Sequence, residues 1–171
     1  MGGNNATKEV LNRTLAFFAN LLHEQKIDDW FIGYGTLLGI IRENECIAGD
    51  DDVDIIINKK YYNVLQQILI EKGFEIEYGM TIGTNTNILK TKETDEFCSI
   101  DFYMASVSGY DYFDSWENVV WSNCLPLLRY NWERTVLHIP NDAHTKLVNR
   151  YGDDWNVPQK SKGVFPRKKI I

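Results

Sequence analysis

Apolar positions between Ala6 and Lys26 fall at Val10, Leu11, Leu15, Phe18, Leu21 and Leu22, a spacing that lines one face of an amphipathic helix. After the Asp28-Asp29 break, Trp30-Phe31-Ile32 reads as a short buried strand that enters a turn at Gly33-Tyr34-Gly35-Thr36, and Leu37 to Glu43 predicts a helix. A second strand is expected over Val53 to Ile57, then a helix over Tyr61 to Lys72 closed by Gly73 as a C-cap. Short β-branched or aromatic runs predict strands at Phe74 to Tyr78, Ile88 to Thr91, Phe97 to Met104 and Thr135 to Ile139. Pro140-Asn141-Asp142 signals a last helix, Ala143 to Tyr151. There is no internal repeat. The order implies an α/β (α+β) fold: a mixed β-sheet with helices packed mainly on one face.

The length of 171 residues fits one domain, 1–171, with residues 1–5 and 160–171 as frayed or extended termini; Lys160, Lys162, Arg167, Lys168 and Lys169 make the tail basic. A net charge of -6, from 24 acidic and 18 basic side chains, argues against general binding to nucleic acid or to an anionic membrane. Cys46, Cys98 and Cys124 form no Cys-x-x-Cys pair and read as reduced thiols. With no secretory leader pattern and no apolar run long enough to span a membrane, a cytoplasmic location is expected.

Candidate chemistry concentrates in two places. Asp50, Asp51, Asp52 and Asp54 crowd four carboxylates into five positions, which repel unless a cation or proton intervenes. On an extended strand Asp52 and Asp54 share one face while Val53, Ile55 and Ile57 take the other. In the Phe97–Met104 run, Cys98, Ile100, Phe102 and Met104 form an apolar side, and Asp101 stands opposite with Ser99 and Tyr103. If the two strands are neighbours, Asp101 joins Asp52 and Asp54 in a hard-oxygen cluster suited to Mg²⁺ or Mn²⁺. A solvated acidic turn is the bland alternative. An EF-hand fails, because its sixth position would be Ile55 and its twelfth Tyr61.

The turn before the acids favours the metal reading. Gly35-Thr36 opens a helix after a strand and offers backbone N–H groups, a hydroxyl and a helix N-terminus to a phosphate, and Arg42 supplies a fork of donors two turns on. His23, His138 and His144 have no metal-ligand spacing and read as structural. Tyr110, Tyr112, Phe113, Trp116 and Trp121 read as core or lid packing, the alternative being a wall for a nucleobase or sugar.

Together these residues resemble the nucleotidyltransferase fold superfamily, whose signature is a Gly-Ser or Gly-Thr turn, an acid-hydrophobic-acid pair on a strand and a third acid on a later strand. More narrowly, Gly35-Thr36-Leu37-Leu38-Gly39 with Arg42, Ile47 and Asp50 to Ile55 is similar to the LicD family, which includes phosphocholine transferases and fukutin-related proteins. Arg150-Tyr151-Gly152-Asp153-Asp154-Trp155 with Pro158 resembles that family's C-terminal motif. The resemblance implies a Mg²⁺-dependent transferase that moves a phospho-alcohol, phosphocholine- or phosphoribitol-like, from a CDP-activated donor to a sugar hydroxyl of a glycan. Asp52, Asp54 and Asp101 would hold the metal, with Asp101 also helping to deprotonate the acceptor and Asp50 an extra ligand or base. Gly35, Thr36 and Arg42 would hold the diphosphate. Two further readings stay open: transfer of NMP from an NTP to a small acceptor, and an inactive module that binds nucleotide or glycan.

Overall fold

The computed structural model describes residues 5–77, 86–159 and 168–171. Helix α1 (Lys8–Glu24) starts where the Thr7 hydroxyl accepts the Val10 N–H, and it buries Leu11, Leu15, Phe18 and Leu22. Strand β1 (Trp30–Ile32) leads into α2 (Tyr34–Glu43), and β2 (Asp52–Asn58) continues through a 3-10 turn into α3 (Tyr62–Glu71). Then come β3 (Ile88–Lys90), β4 (Ser99–Ser108), β5 (Asp111–Asp114), β6 (Val119–Trp121), β7 (Leu128–Trp132), β8 (Thr135–Ile139) and α4 (Ala143–Tyr151).

The main sheet runs β1-β2-β4-β5-β6, with β3 also on β4, and is mixed: β2 and β4 are parallel and the other pairs antiparallel. Strand β4 is long enough to serve two partners in turn. Its first half lies between β2 and β3, and Ser106–Ser108 carry on to pair with β5, so the sheet curls. Strands β7 and β8 form a separate ribbon whose β8 packs against β1 and α1.

One sheet face is apolar, as the alternation predicts. Val53, Ile55, Ile57, Ile100, Phe102 and Met104 are fully buried, and α1 covers this side with Phe18 edge-on to Phe102 at 5.7 Å. Phe17, Phe74 and Phe97 extend that aromatic layer. The fold is the expected mixed α/β class.

Some elements differ from expectation. Helix α2 starts at Tyr34, three residues before Leu37, with Tyr34 itself at φ +41°. Of the strand expected over Phe74 to Tyr78, the described part bridges only at Ile76, which faces Thr91; Tyr78 lies outside the described residues. Strands β5, β6 and β7 were not anticipated. In β7 only Trp132 is buried, so no apolar alternation marks it. At the tail, Lys160, Lys162 and Arg167 lie outside the described residues, whereas Ile170 bridges Val120 in parallel and Ile171 is fully buried beside β6. Cys46, Cys98 and Cys124 are free, buried thiols. No helix among the described residues is long and apolar enough to cross a membrane.

Candidate active site

The parallel pairing of β2 with β4 sets Asp54 directly beside Asp101 and Asp52 beside Ser99. Because residues two apart on a strand share a face, all three acids lie on the side of the sheet opposite α1. Strand β3 adds a residue of opposite sign: Lys90 stands across from Asp101 in antiparallel register. Its Nζ donates to Asp101 Oδ1 at 2.8 Å and to Asp52 Oδ2 at 3.3 Å. Lys90, Asp54 and Asp101 are all buried.

Asp54 is held differently. The Gly35 N–H donates to its Oδ2 at 3.1 Å and the Tyr103 hydroxyl to its Oδ1 at 3.2 Å. Its backbone N–H donates to the Thr36 hydroxyl at 2.9 Å, so that side chain braces β2 from within, and Thr36 is 3% exposed. Arg42 forks onto Glu43 Oε1, at 2.7 Å from Nη2 and 3.0 Å from Nε.

The turn that presents Gly35 is built from packing rather than from glycine alone. A φ of +41° is sparsely populated for a bulky aromatic, yet Tyr34 is fixed there by its hydroxyl, which donates to Asp114 Oδ2, and by rings of Tyr103 and Trp121 about it at 4.9 and 5.1 Å. The Arg150 guanidinium lies 4.9 Å from the Tyr34 ring centroid, and its buried Nη1 has no hydrogen-bond partner among the described residues. The acidic loop is tied down by the Ala6 N–H on the Asp50 carbonyl at 2.8 Å.

Like charges at short range set the electrostatics. Burial, then the charges of Asp52 and Asp101, raise the Asp54 carboxyl well above the ordinary range. Burial and Asp52 push Asp101 up to about 7 against the pull of Lys90, and burial with Asp52 and Asp51 pushes Asp50 up to about 6. Burial works against the Lys90 ammonium, but Asp101 and Asp52 win and hold it protonated. Asp52 is raised by burial although Lys90 opposes the rise.

The carboxylates divide into two pairs. Asp52 and Asp101 meet at Lys90 Nζ. Asp50 and Asp54 turn toward Gly35, where a Cβ would stand 3.1 Å from Asp50 Oδ2 and 3.6 Å from Asp54 Oδ2. No group of three metal-ligating side chains converges on one point among the described residues. A pair of hard carboxylate oxygens beside a cradle left open by glycine does fit Mg²⁺, which takes one or two carboxylates and draws its other ligands from water and substrate phosphate.

Beside Asp50 opens a cavity of about 460 Å³, lined among others by Leu38, Arg42, Ala48, Tyr151, Trp155 and Pro158. Helix α4 and the turn after it thus bring the C-terminal motif to the acidic loop. Burial and the nearby Asp54 charge raise the Tyr151 hydroxyl above its usual range.

The structure therefore gathers Asp50, Asp52, Asp54, Asp101, Gly35 and Thr36, and sets Arg42 on the adjoining cavity. Sequence reasoning missed Lys90. All that the sequence carries of it is a charge closing the short strand Ile88-Leu89-Lys90. Of the three histidines, His138 stacks on Trp30 at 4.6 Å, His23 meets the Val136 carbonyl and the exposed His144 meets Trp155 edge-on.

The sequence profile of the LicD/FKTN/FKRP nucleotidyltransferase domain matches residues 28–142. No curated protein matches the sequence. Among solved structures, lincomycin-bound lincosamide antibiotic adenylyltransferase LnuA is similar in fold, with a TM-score of 0.56 at 17% identity over 88% of this chain and 90% of that one. The antibiotic-resistance factor ANT(2'')-Ia is more distant, with a TM-score of 0.45 at 17% identity over 60% of this chain and 52% of that one.

Proposed function

The chain belongs to the LicD/FKTN/FKRP family of nucleotidyltransferase domains, a family of transferases, and from that premise we propose that it is a Mg²⁺-dependent enzyme moving a phospho-alcohol from a CDP-activated donor to a sugar hydroxyl. The observation that carries the reading is the register of β2 on β4, which sets Asp54 beside Asp101 with Asp52 on the same face, and the Gly35 N–H on Asp54.

In this reading the N-terminal end of α2 directs its dipole at the donor phosphates. Gly35 leaves room for their approach, and Arg42 reaches them from the cavity wall by exchanging Glu43 for phosphate. The cavity beside Asp50 takes the nucleoside, with Tyr151 and Trp155 as its aromatic wall. Asp54, Asp52, Asp101 and Asp50 are the carboxylates available to divalent metal; the bound ion supplies positive charge to the phosphate oxygens. The Asp101 carboxylate, with a proton affinity matched to neutral pH, takes the proton of the acceptor hydroxyl. The acceptor oxygen forms the new bond to phosphorus as the bond to the CMP leaving group breaks.

Transfer of NMP from an NTP uses the same groups with pyrophosphate as leaving group. Product analysis with Mg²⁺ separates the readings. CMP released from a CDP-alcohol supports the first; pyrophosphate released from an NTP replaces it with the second. Nucleotide binding without turnover of either donor class across a panel of sugar acceptors would leave only the binding module.

A further inference from the structure

Lys90 reaches the acids from β3, directly across from Asp101. Its ammonium sits between Asp101 Oδ1 at 2.8 Å and Asp52 Oδ2 at 3.3 Å, and the residue is 8% exposed. A short strand fixed between β4 and the Glu75–Glu77 segment carries it, with the Lys90 carbonyl accepting the Glu77 N–H at 2.8 Å. Neither end of this arrangement is a loose surface contact.

Two-ion transfer sites place one cation on each side of the reacting phosphate, bound by carboxylates that both ions share. Here one half of the carboxylate set already has a covalently attached cation, and the other half, Asp50 and Asp54, turns to the Gly35 cradle instead. Resting on the reading of this site as a divalent-metal transfer centre, we propose that Lys90 Nζ takes the place of the second divalent ion, so that the chain binds a single ion on the Asp54 side.

The chemistry agrees with that exchange. A lysine ammonium is a compact point charge with three donors. Two of them are spent on Asp101 and Asp52, which leaves the third for a donor phosphate oxygen. A dication bridging Asp52 and Asp101 would be forced against this ammonium at a few ångströms in a site largely closed to water, where like charges repel strongly.

The test is a titration of the 171-residue chain with Mn²⁺ in saturating CDP, counting bound ions by the loss of the free Mn²⁺ electron paramagnetic resonance signal beyond that of a protein-free CDP control. Wild type is expected to bind one ion per chain. Lys90→Met frees the Asp52–Asp101 pair and should bind a second ion. Lys90→Arg keeps the charge and should stay at one. Two ions on wild type overturn the proposal without reference to any variant. A single ion on a Lys90→Met protein whose circular dichroism matches wild type overturns it as well. No bound Mn²⁺ in wild type or either variant overturns the metal-centre reading itself, and the Lys90 inference with it.

Discussion

Asp114 and Asp54 are both buried acids on strands of one sheet, and they are satisfied in opposite ways. Asp114 is fully buried at the end of β5, where it accepts the Tyr34 hydroxyl and the N–H groups of Trp116 at 2.9 Å and Glu117 at 3.2 Å. Burial raises its carboxyl, and these neutral donors pull it back. Asp54 accepts two neutral donors as well, yet Asp52, Asp101 and Asp50 all press against its charge. An acid answered by hydrogen bonds is part of the frame. One crowded by other acids still lacks positive charge, the deficit that a metal-bound phosphate would fill in the proposed reaction. Tyr34 joins the two: its hydroxyl holds Asp114, and the N–H of the next residue holds Asp54.

The largest expected effect breaks the crowded site. Asp54→Asn should lower kcat by roughly a hundred- to a thousandfold with no loss of folding stability, because it removes a charge that its neighbours disfavour. Steady-state kinetics beside a thermal melt at pH 8 checks this. An active Asp54→Asn protein, or one that is inactive only because it is unfolded, breaks the comparison.

Asp114→Ala should do the reverse. It strands the Tyr34 hydroxyl and two backbone donors, at a cost of about 3 kcal/mol in denaturant unfolding. Activity per folded molecule should fall less than about tenfold. An Asp114→Ala protein as stable as wild type but as inactive as Asp54→Asn would make Asp114 a member of the site.

The crowded site should also give stability an unusual pH dependence. Asp50 at about 6 and Asp101 at about 7 hold their protons more tightly folded than unfolded, so the folded state binds more protons across that window. Stability is therefore greatest at low pH within it and is lost as pH rises through 6 and 7, with a slope of at most about 1.4 kcal/mol per pH unit for each group. Urea unfolding without metal should show a lower midpoint at pH 8 than at pH 5.5, and Asp101→Asn should flatten the trend. Added Mg²⁺ should recover more stability at pH 8, since it competes with protons for the same oxygens. A flat profile would mean that the acids are better neutralised than the geometry implies.

Much of this was legible in the sequence. Alternation alone assigned Val53, Ile55, Ile57, Ile100 and Phe102 to one face and Asp52, Asp54 and Asp101 to the other. What alternation cannot supply is which strand lies beside which. That Asp54 and Asp101 adjoin is a tertiary fact, which alternation could raise only as a condition on the two strands being neighbours and which the family resemblance then favoured. Lys90 escaped for a related reason, since a lysine in a three-residue strand gains meaning only from the acids opposite. Tyr34 at positive φ carries no local signature, because the conformation is imposed by Asp114, 80 residues on. Strands β5 and β7 mix charged and aromatic residues on partly wet surfaces, and β6 is only Val119-Val120-Trp121, so periodicity is silent there.

The smallest expected effect separates the two tyrosines that serve these two acids. Tyr103→Phe removes the donor on Asp54 Oδ1, which helps to hold that carboxyl down. Its loss should cost about 1 kcal/mol, close to fivefold in kcat/KM. It should also move the acid limb of the pH–rate profile to higher pH, because the carboxylate loses a group that favours its charged form. Tyr34→Phe removes a hydroxyl of the same kind from Asp114, and should lower stability by a similar amount while leaving the acid limb in place. If both variants shift the pH profile alike, the turn couples the two acids so tightly that frame and site cannot be told apart. If only Tyr103→Phe does, the hydroxyl on Asp54 tunes the chemistry and the one on Asp114 holds the turn.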